Sequence, residues 1–195
     1  MSRLATIKVE KFNSDQREMF DAITTGKRAT AAGANAFVTS SGGLRGPFHP
    51  WAYSPVIGNA AQRLGECIRC EGALSDRQRE IGILCAAAKW RASYEWIAHS
   101  RIARDCGVSE HLIDAILERR QPEFDDPREL VVHDVVHYVL DHGGLSDALY
   151  RHAIETFGEE RLVELVVLVG YYTLVSLTLN VFEVPPPEGE TSPFE

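Results

Sequence analysis

Apolar residues recur at spacings of three and four along most of this chain, and that period predicts helices. "SDQREMFDAIT" carries Met19, Phe20 and Ile23 on one side, with Ser14 as the expected N-cap. "SPVIGNAAQRLGECIRCEG" places Pro55 in a first turn and Gly72 at the stop. "LSDRQREIGILCAAAKW" opens on Ser75 and Asp76 and aligns Ile81, Leu84, Cys85 and Ala88 on one face. Further helices are predicted over "ASYEWIAHSRIARDC", ending at Gly107, and over "SEHLIDAILERR". Another runs from near Pro127 to Gly143, and "SDALYRHAIETFG" leads into a long apolar helix. No segment alternates as a strand does, so the fold class is all-α.

Between Gly26 and about Ser54 the pattern breaks into "AAGANA", "SSGGLRGPFHPW" and "YSP". A loop of that length is expected to be functional, and Phe48, Trp51 and Tyr53 make it an ordered one. The prolines at 185–187 forbid a helix in the tail, because they lack the N–H and crowd the preceding turn. The organisation is thus one domain over residues 1–195. It has an N-terminal helix and long loop (1–54), a helical core (55–183) and a proline-rich tail (184–195). A faint repeat with an offset of 84 sets Glu80 and its apolar run beside Glu164 and its own.

The stretch Leu162–Phe182 is long enough to cross a bilayer, but Glu164 and Asn180 interrupt it. A helix apolar on nearly all sides is equally at home in the core of a soluble oligomer, which is the expectation here. The 195 residues suffice for one core, and a net charge of −8 without a basic run argues against nucleic acid. "MSRLATIKVEKF" has no apolar secretory stretch, so the expected compartment is the cytoplasm. In that reducing setting Cys67, Cys70, Cys85 and Cys106 are not expected to form structural disulfides. Cys67 and Cys70 do make a C-x-x-C, one turn apart on a helix, either a redox pair or two small apolar side chains.

Chemistry concentrates at residues 80–99. Glu95 and His99 are four apart, so their side chains share one helix face. A carboxylate beside an imidazole fixes its tautomer and raises its pKa, which makes a proton donor near neutral pH. The plainer reading is a helix ion pair contributing a few tenths of a kcal/mol, roughly. Glu80 reaches the same place if the chain turns back near Lys89–Ala92. Tyr94 is a candidate donor to a developing oxyanion, and Trp96 a wall against water. His133 and His137 are also four apart, beside Asp134 and Asp141, but no third ligand stands out and no metal is expected.

"LSDRQREIGILCAAAKWRASYEWIAHSRIARDCGVSEHLIDAI" resembles the core of the carboxymuconolactone decarboxylase and alkyl hydroperoxidase D-like family, in its YEW-containing, non-peroxidatic part. "GPFHPWAYSP" and "GYYTLVSLTLNVFEVP" extend the resemblance over about Leu44 to Pro185. It implies an all-α bundle that assembles into trimers or hexamers. Peroxidase members carry a glutamate, a C-x-x-C and a histidine four residues later. Counted back from His99, the glutamate is Glu80, while the two cysteine positions hold Ala92 and Glu95. The dithiol–disulfide cycle is lost there and the proton-handling groups remain.

Decarboxylase members use neither cofactor nor metal. Resemblance to them implies a small carboxylated lactone or related acid that loses carbon dioxide to leave a dienolate. The implied acid is His99, held by Glu95 or Glu80, with Tyr94 for the oxyanion. Arg45 is the candidate anchor for a substrate carboxylate, His49 in the same loop is the second candidate, and Phe48 is a further substrate-binding candidate. Two other functions stand beside the lyase: a thiol peroxidase through Cys67 and Cys70, and a non-catalytic oligomeric binding protein.

Overall fold

The computed structural model describes residues 2–194; Met1 and Glu195, the ends of the expected domain, lie outside them. Backbone contacts divide the chain into two compact units, Met1–Gly72 with Thr178–Pro185, and Ala73–Leu177 with Pro186–Glu195. Both are helical, and among the described residues the only β pairing is an isolated bridge from Val38 to Leu44.

The first unit contains α1 (Ser14–Thr25), α2 (Lys27–Ala32), α3 (Phe48–Trp51) and α4 (Pro55–Cys70). Helix α1 is capped by Asn13 rather than by Ser14. The reason lies three residues on. Asn13 faces Gln16, whose amide oxygen accepts the cap N–H at 3.0 Å while Asn13 accepts from the Gln16 N–H at 2.9 Å. Ser14 would face Arg17, which has no acceptor. The expected long loop is correspondingly shorter. Its first part, "KRATAA", forms α2, since nothing in those six residues opposes a helix. Helix α4 stops at Cys70 with Glu71 as its cap, two residues before Gly72. Gly58 lets α4 approach Trp51 and Met19: a Cβ there would lie 2.7 Å from the Trp51 carbonyl oxygen and 2.7 Å from Met19 Sδ.

The second unit is built on α5 (Asp76–Trp90), joined by α6 (Ser93–Asp105), α7 (Glu110–Leu117), α8 (Pro127–His142) and most of α9 (Asp147–Val181). Ser75 caps α5 in a reciprocal pair with Gln78, as its sequence suggests. The expectation of one buried face on α5 is corrected: every residue from Gln78 to Ala88 is buried. Gly82, Ala86, Ala87 and Ala88 are small enough for neighbours to close on all sides, which erases the amphipathic pattern of a surface helix. Leu165 and Leu168 of α9 pack against Gly82. Arg77 clasps the buried Glu129 of α8 with Nε at 2.6 Å and Nη2 at 2.9 Å.

Helix α8 begins at Pro127 and ends on a left-handed Gly143, both at their expected places. Helix α9 is broken at Gly158, whose φ of 77° and ψ of 174° are non-helical, so two helical segments meet there. The helix is long and apolar enough to cross a membrane, yet half of its most apolar window is buried inside the protein. Glu164, the counterpart of Glu80 in the faint repeat, accepts the backbone N–H groups of Ala73 and Leu74 at 2.8–3.2 Å. It fastens the approach to α5 and, among the described residues, has no histidine partner there, so the repeated glutamates perform different tasks.

Candidate active site in the second unit

The turn from α5 into α6 creates the site. Arg91 takes a left-handed conformation (φ 51°), and the Ala92 N–H bonds back to the Ala87 carbonyl at 2.9 Å. This is the closed helix ending usually given to glycine. It reverses the chain and sets α6 against α5. Glu80 and His99, 19 residues apart in sequence, then meet with Nδ1 of His99 2.6 Å from Oε2 of Glu80. Nε2 of His99 lies 2.9 Å from Oε1 of Glu95, the i, i+4 partner on α6.

All three groups are buried, Glu80 at 1% exposure, Glu95 at 4% and His99 at 6%. Burial alone would push the imidazolium pKa down. The charges of Glu80 and Glu95 and their hydrogen bonds outweigh it and hold His99 up at about 9. The imidazole is therefore cationic at neutral pH, with a carboxylate on each ring nitrogen. Glu95 also sits in the first turn of α6, where the helix dipole favours a negative group.

Tyr172 of α9 closes another side, its ring edge-on to His99 with centroids 5.3 Å apart. The sequence offered Tyr172 only as one of two tyrosines in an apolar helix. Its partner could not be read from local spacing, because it lies on a distant segment.

The other expected site residues are less concentrated. Tyr94 is half-buried on α6. Trp96 is buried, and its indole meets Phe194 of the C-terminal segment at 5.9 Å, edge to face. Arg45, Phe48 and His49 belong to the first unit and are engaged there. Arg45 Nε donates to the Val38 carbonyl at 2.6 Å, and Phe48 packs edge-on against Phe37 and Trp51. His49 Nε2 lies 3.3 Å from the Leu4 carbonyl, and burial lowers its pKa.

The thiols belong to the other unit or are suppressed. Cys67 and Cys70 occupy the last turn of α4, the carbonyl end, whereas nucleophilic thiolates are favoured at the opposite end of a helix. Burial pushes the Cys85 thiol up to about 12. The Cys106 thiol is raised by burial and then by the charge of Glu80. His133 and His137 lie with ring centroids 5.7 Å apart, each with its own aspartate, Asp134 and Asp141. Among the described residues no three His, Cys, Asp or Glu side chains are grouped to hold a metal.

No family model and no curated protein matches the sequence. Solved structures do resemble it. An uncharacterised peroxidase-related protein from Ralstonia eutropha with an AhpD core is 17% identical; it aligns over 96% of this chain and 93% of its own, with a TM-score of 0.75. An uncharacterised peroxidase-related protein from a Silicibacter species is 13% identical, over 100% of this chain and 96% of its own, at a TM-score of 0.74. A protein of unknown function from Agrobacterium tumefaciens, described as an AhpD-type antioxidant defence protein, is 19% identical. It covers 70% of this chain and 94% of its own, at a TM-score of 0.64. At these identities the likeness carries the fold: the chain has the all-helical architecture of the alkyl hydroperoxidase D-like proteins.

Proposed function

We propose that Glu80, His99 and Glu95 form the proton relay of an acid–base lyase acting on a small carboxylated lactone or related acid. The observation that carries this reading is the double clasp on His99, which stores a proton in a site from which water is largely excluded. Decarboxylation breaks the C–CO2 bond and sends its electron pair into the ring, delocalised onto the lactone carbonyl oxygen. Carbon dioxide leaves, and the carbanionic carbon then takes one proton. No electron acceptor is required.

Both ring nitrogens of His99 face carboxylates, so the proton reaches substrate through one of them. Glu95 is the terminal group in this reading, occupying the place of a peroxidase cysteine: it takes the proton of His99 and passes it to the carbanionic carbon, and His99 is reprotonated from solvent. Glu80 holds the imidazole from the other side and keeps it cationic. Tyr172 walls the imidazole, and Tyr94 is the candidate donor to the dienolate oxygen.

The reading is tested by proton NMR of 4-carboxymuconolactone in heavy water with purified protein. Loss of the carboxyl with deuterium entering the ring supports it, and His99→Ala should then suppress turnover. An unchanged lactone spectrum removes that substrate.

A second reading is favoured by the peroxidase-related descriptions of similar structures. In it, Cys67 and Cys70 supply two electrons, reducing a peroxide to alcohol and water while they form a disulfide. Cys67→Ser with Cys70→Ser would abolish peroxide turnover under this reading and leave lactone turnover intact under the first.

The assembly we propose is a soluble, cytoplasmic homo-oligomer, a trimer or hexamer. Its support is the apolar face of α9 at Val163, Val166, Val167, Leu174 and Leu177, each at least 40% exposed.

A further inference from the structure

Helix α6 has two sides. Glu95 and His99 share the side that meets Glu80. At 100° per residue, Ser93 and Arg101 lie roughly 140° away from that pair and Trp96 roughly 80° away, on the back and flank of the helix. The C-terminal segment holds all three of those residues. Arg101 pairs with Glu190, Ser93 Oγ lies 2.7 Å from Ser192 Oγ, and Trp96 meets Phe194 edge to face. The Arg91 guanidinium sits 5.6 Å from the Phe194 ring centroid, so one ring engages both the helix-reversing turn and the first turn of α6. Ser192 Oγ also bonds the N–H of Phe194 at 3.1 Å, which fixes the ring's approach.

The first turn of α6 needs that fastening. Its N-cap is Ala92, which makes no side-chain cap hydrogen bond, and the turn carries Glu95. On the site side, α6 presents a carboxylate and an imidazole to another carboxylate, an arrangement sensitive to small displacements. We propose that the segment Pro186–Phe194 is a brace that presses α6 towards α5, making Phe194 and Trp96 positioning residues for the Glu80–His99–Glu95 cluster. The brace acts from the back and flank of the helix, through Arg101, Ser93 and Trp96. Its consequence for turnover rests on the lyase reading above; its consequence for the cluster geometry does not.

The test is a side-chain NMR titration of His99 in the full chain, for wild type, Phe194→Ala, Phe194→Tyr and Glu190→Gln. Wild type is expected to titrate near 9. Phe194→Ala should lower that midpoint by about one pH unit, a tenfold change in proton affinity. Phe194→Tyr should restore it. Glu190→Gln, at an exposed pair, should move it in the same direction by a smaller amount and covers the case in which Phe194→Ala fails to fold. A folded Phe194→Ala with an unshifted midpoint overturns the brace, as does an unshifted Glu190→Gln if Phe194→Ala does not fold. Lactone turnover measured on the same samples separates the two ideas. A shifted midpoint with no lactone turnover in wild type keeps the brace and removes the lactone lyase. Normal wild-type turnover with an unshifted midpoint does the reverse.

Discussion

His99 and Glu80 lie 19 positions apart in sequence, and their side chains meet at 2.6 Å in a site where Glu80 is only 1% exposed. A buried pair of this kind gives weak net stabilisation but strong orientation, because removing one partner strands the other. Glu80→Gln keeps the shape and removes the charge. The His99 midpoint should fall, and lactone turnover should drop on the order of 100-fold, as expected for loss of a group governing proton transfer. Glu95→Gln should cost at least as much turnover. NMR titration of His99 and steady-state decarboxylation on the same proteins check both.

The raised pKa of His99 gives stability a definite pH dependence. In the unfolded chain the imidazole titrates near its ordinary 6.5, and in the folded chain near 9. The folded state therefore binds the proton more tightly. Its contribution is fully present below about pH 6.5 and is lost as pH rises to about 9, a loss of at most about 3 kcal/mol. Urea midpoints at pH 6 and pH 9.5 should show the decline, and His99→Gln should flatten it.

Gly58 and Gly82 should respond differently to alanine. A Cβ at Gly58 meets backbone, 2.7 Å from the Trp51 carbonyl oxygen. That atom cannot move without moving α3, so Gly58→Ala should destabilise by about 2 kcal/mol. A Cβ at Gly82 meets the tip of Leu168 at 3.0 Å, which can shift by a rotamer adjustment. The helix preference of alanine offsets much of that cost, leaving Gly82→Ala within about 1 kcal/mol of wild type. Thermal melts of the two variants decide the contrast.

The exposed apolar face of α9 should be where copies of the chain meet. Val166 and Leu174 are 44% exposed each. Val166→Lys with Leu174→Lys would place two charges in an apolar contact, at a cost large enough to dissociate it. Light scattering should show a trimer or hexamer for wild type and a smaller species for the variant, with the helical circular dichroism unchanged. A monomeric wild type would refute the assembly.

Much of the helical framework follows from local chemistry. Ser75 caps α5 because Gln78 stands three residues on, Pro127 opens α8 and Gly143 closes it, and the prolines from 185 onward allow no helix after α9. The contact of Glu95 with His99 is local too, since a helix puts residues four apart side by side whatever surrounds them. Glu80 is a candidate for the same site in the sequence only on condition that the chain turns back near Lys89–Ala92, with the family resemblance pointing to the same residue. Other features were closed to sequence. Arg91, Arg119 and Glu183 take left-handed φ values of 51°, 53° and 49° at helix ends where glycine would have signalled the turn. At Arg91 and Arg119 such endings are imposed by the packing of the helices they join. The same holds for the buried sides of α5, for Tyr172 against His99 and for Phe194 against Trp96. The sequence by itself determined most of the helices, their order and one carboxylate on the imidazole, because those depend on neighbours within a turn. Only the tertiary structure decided the second carboxylate, the wall and the brace, because each is a contact between segments that the chain must fold to bring together.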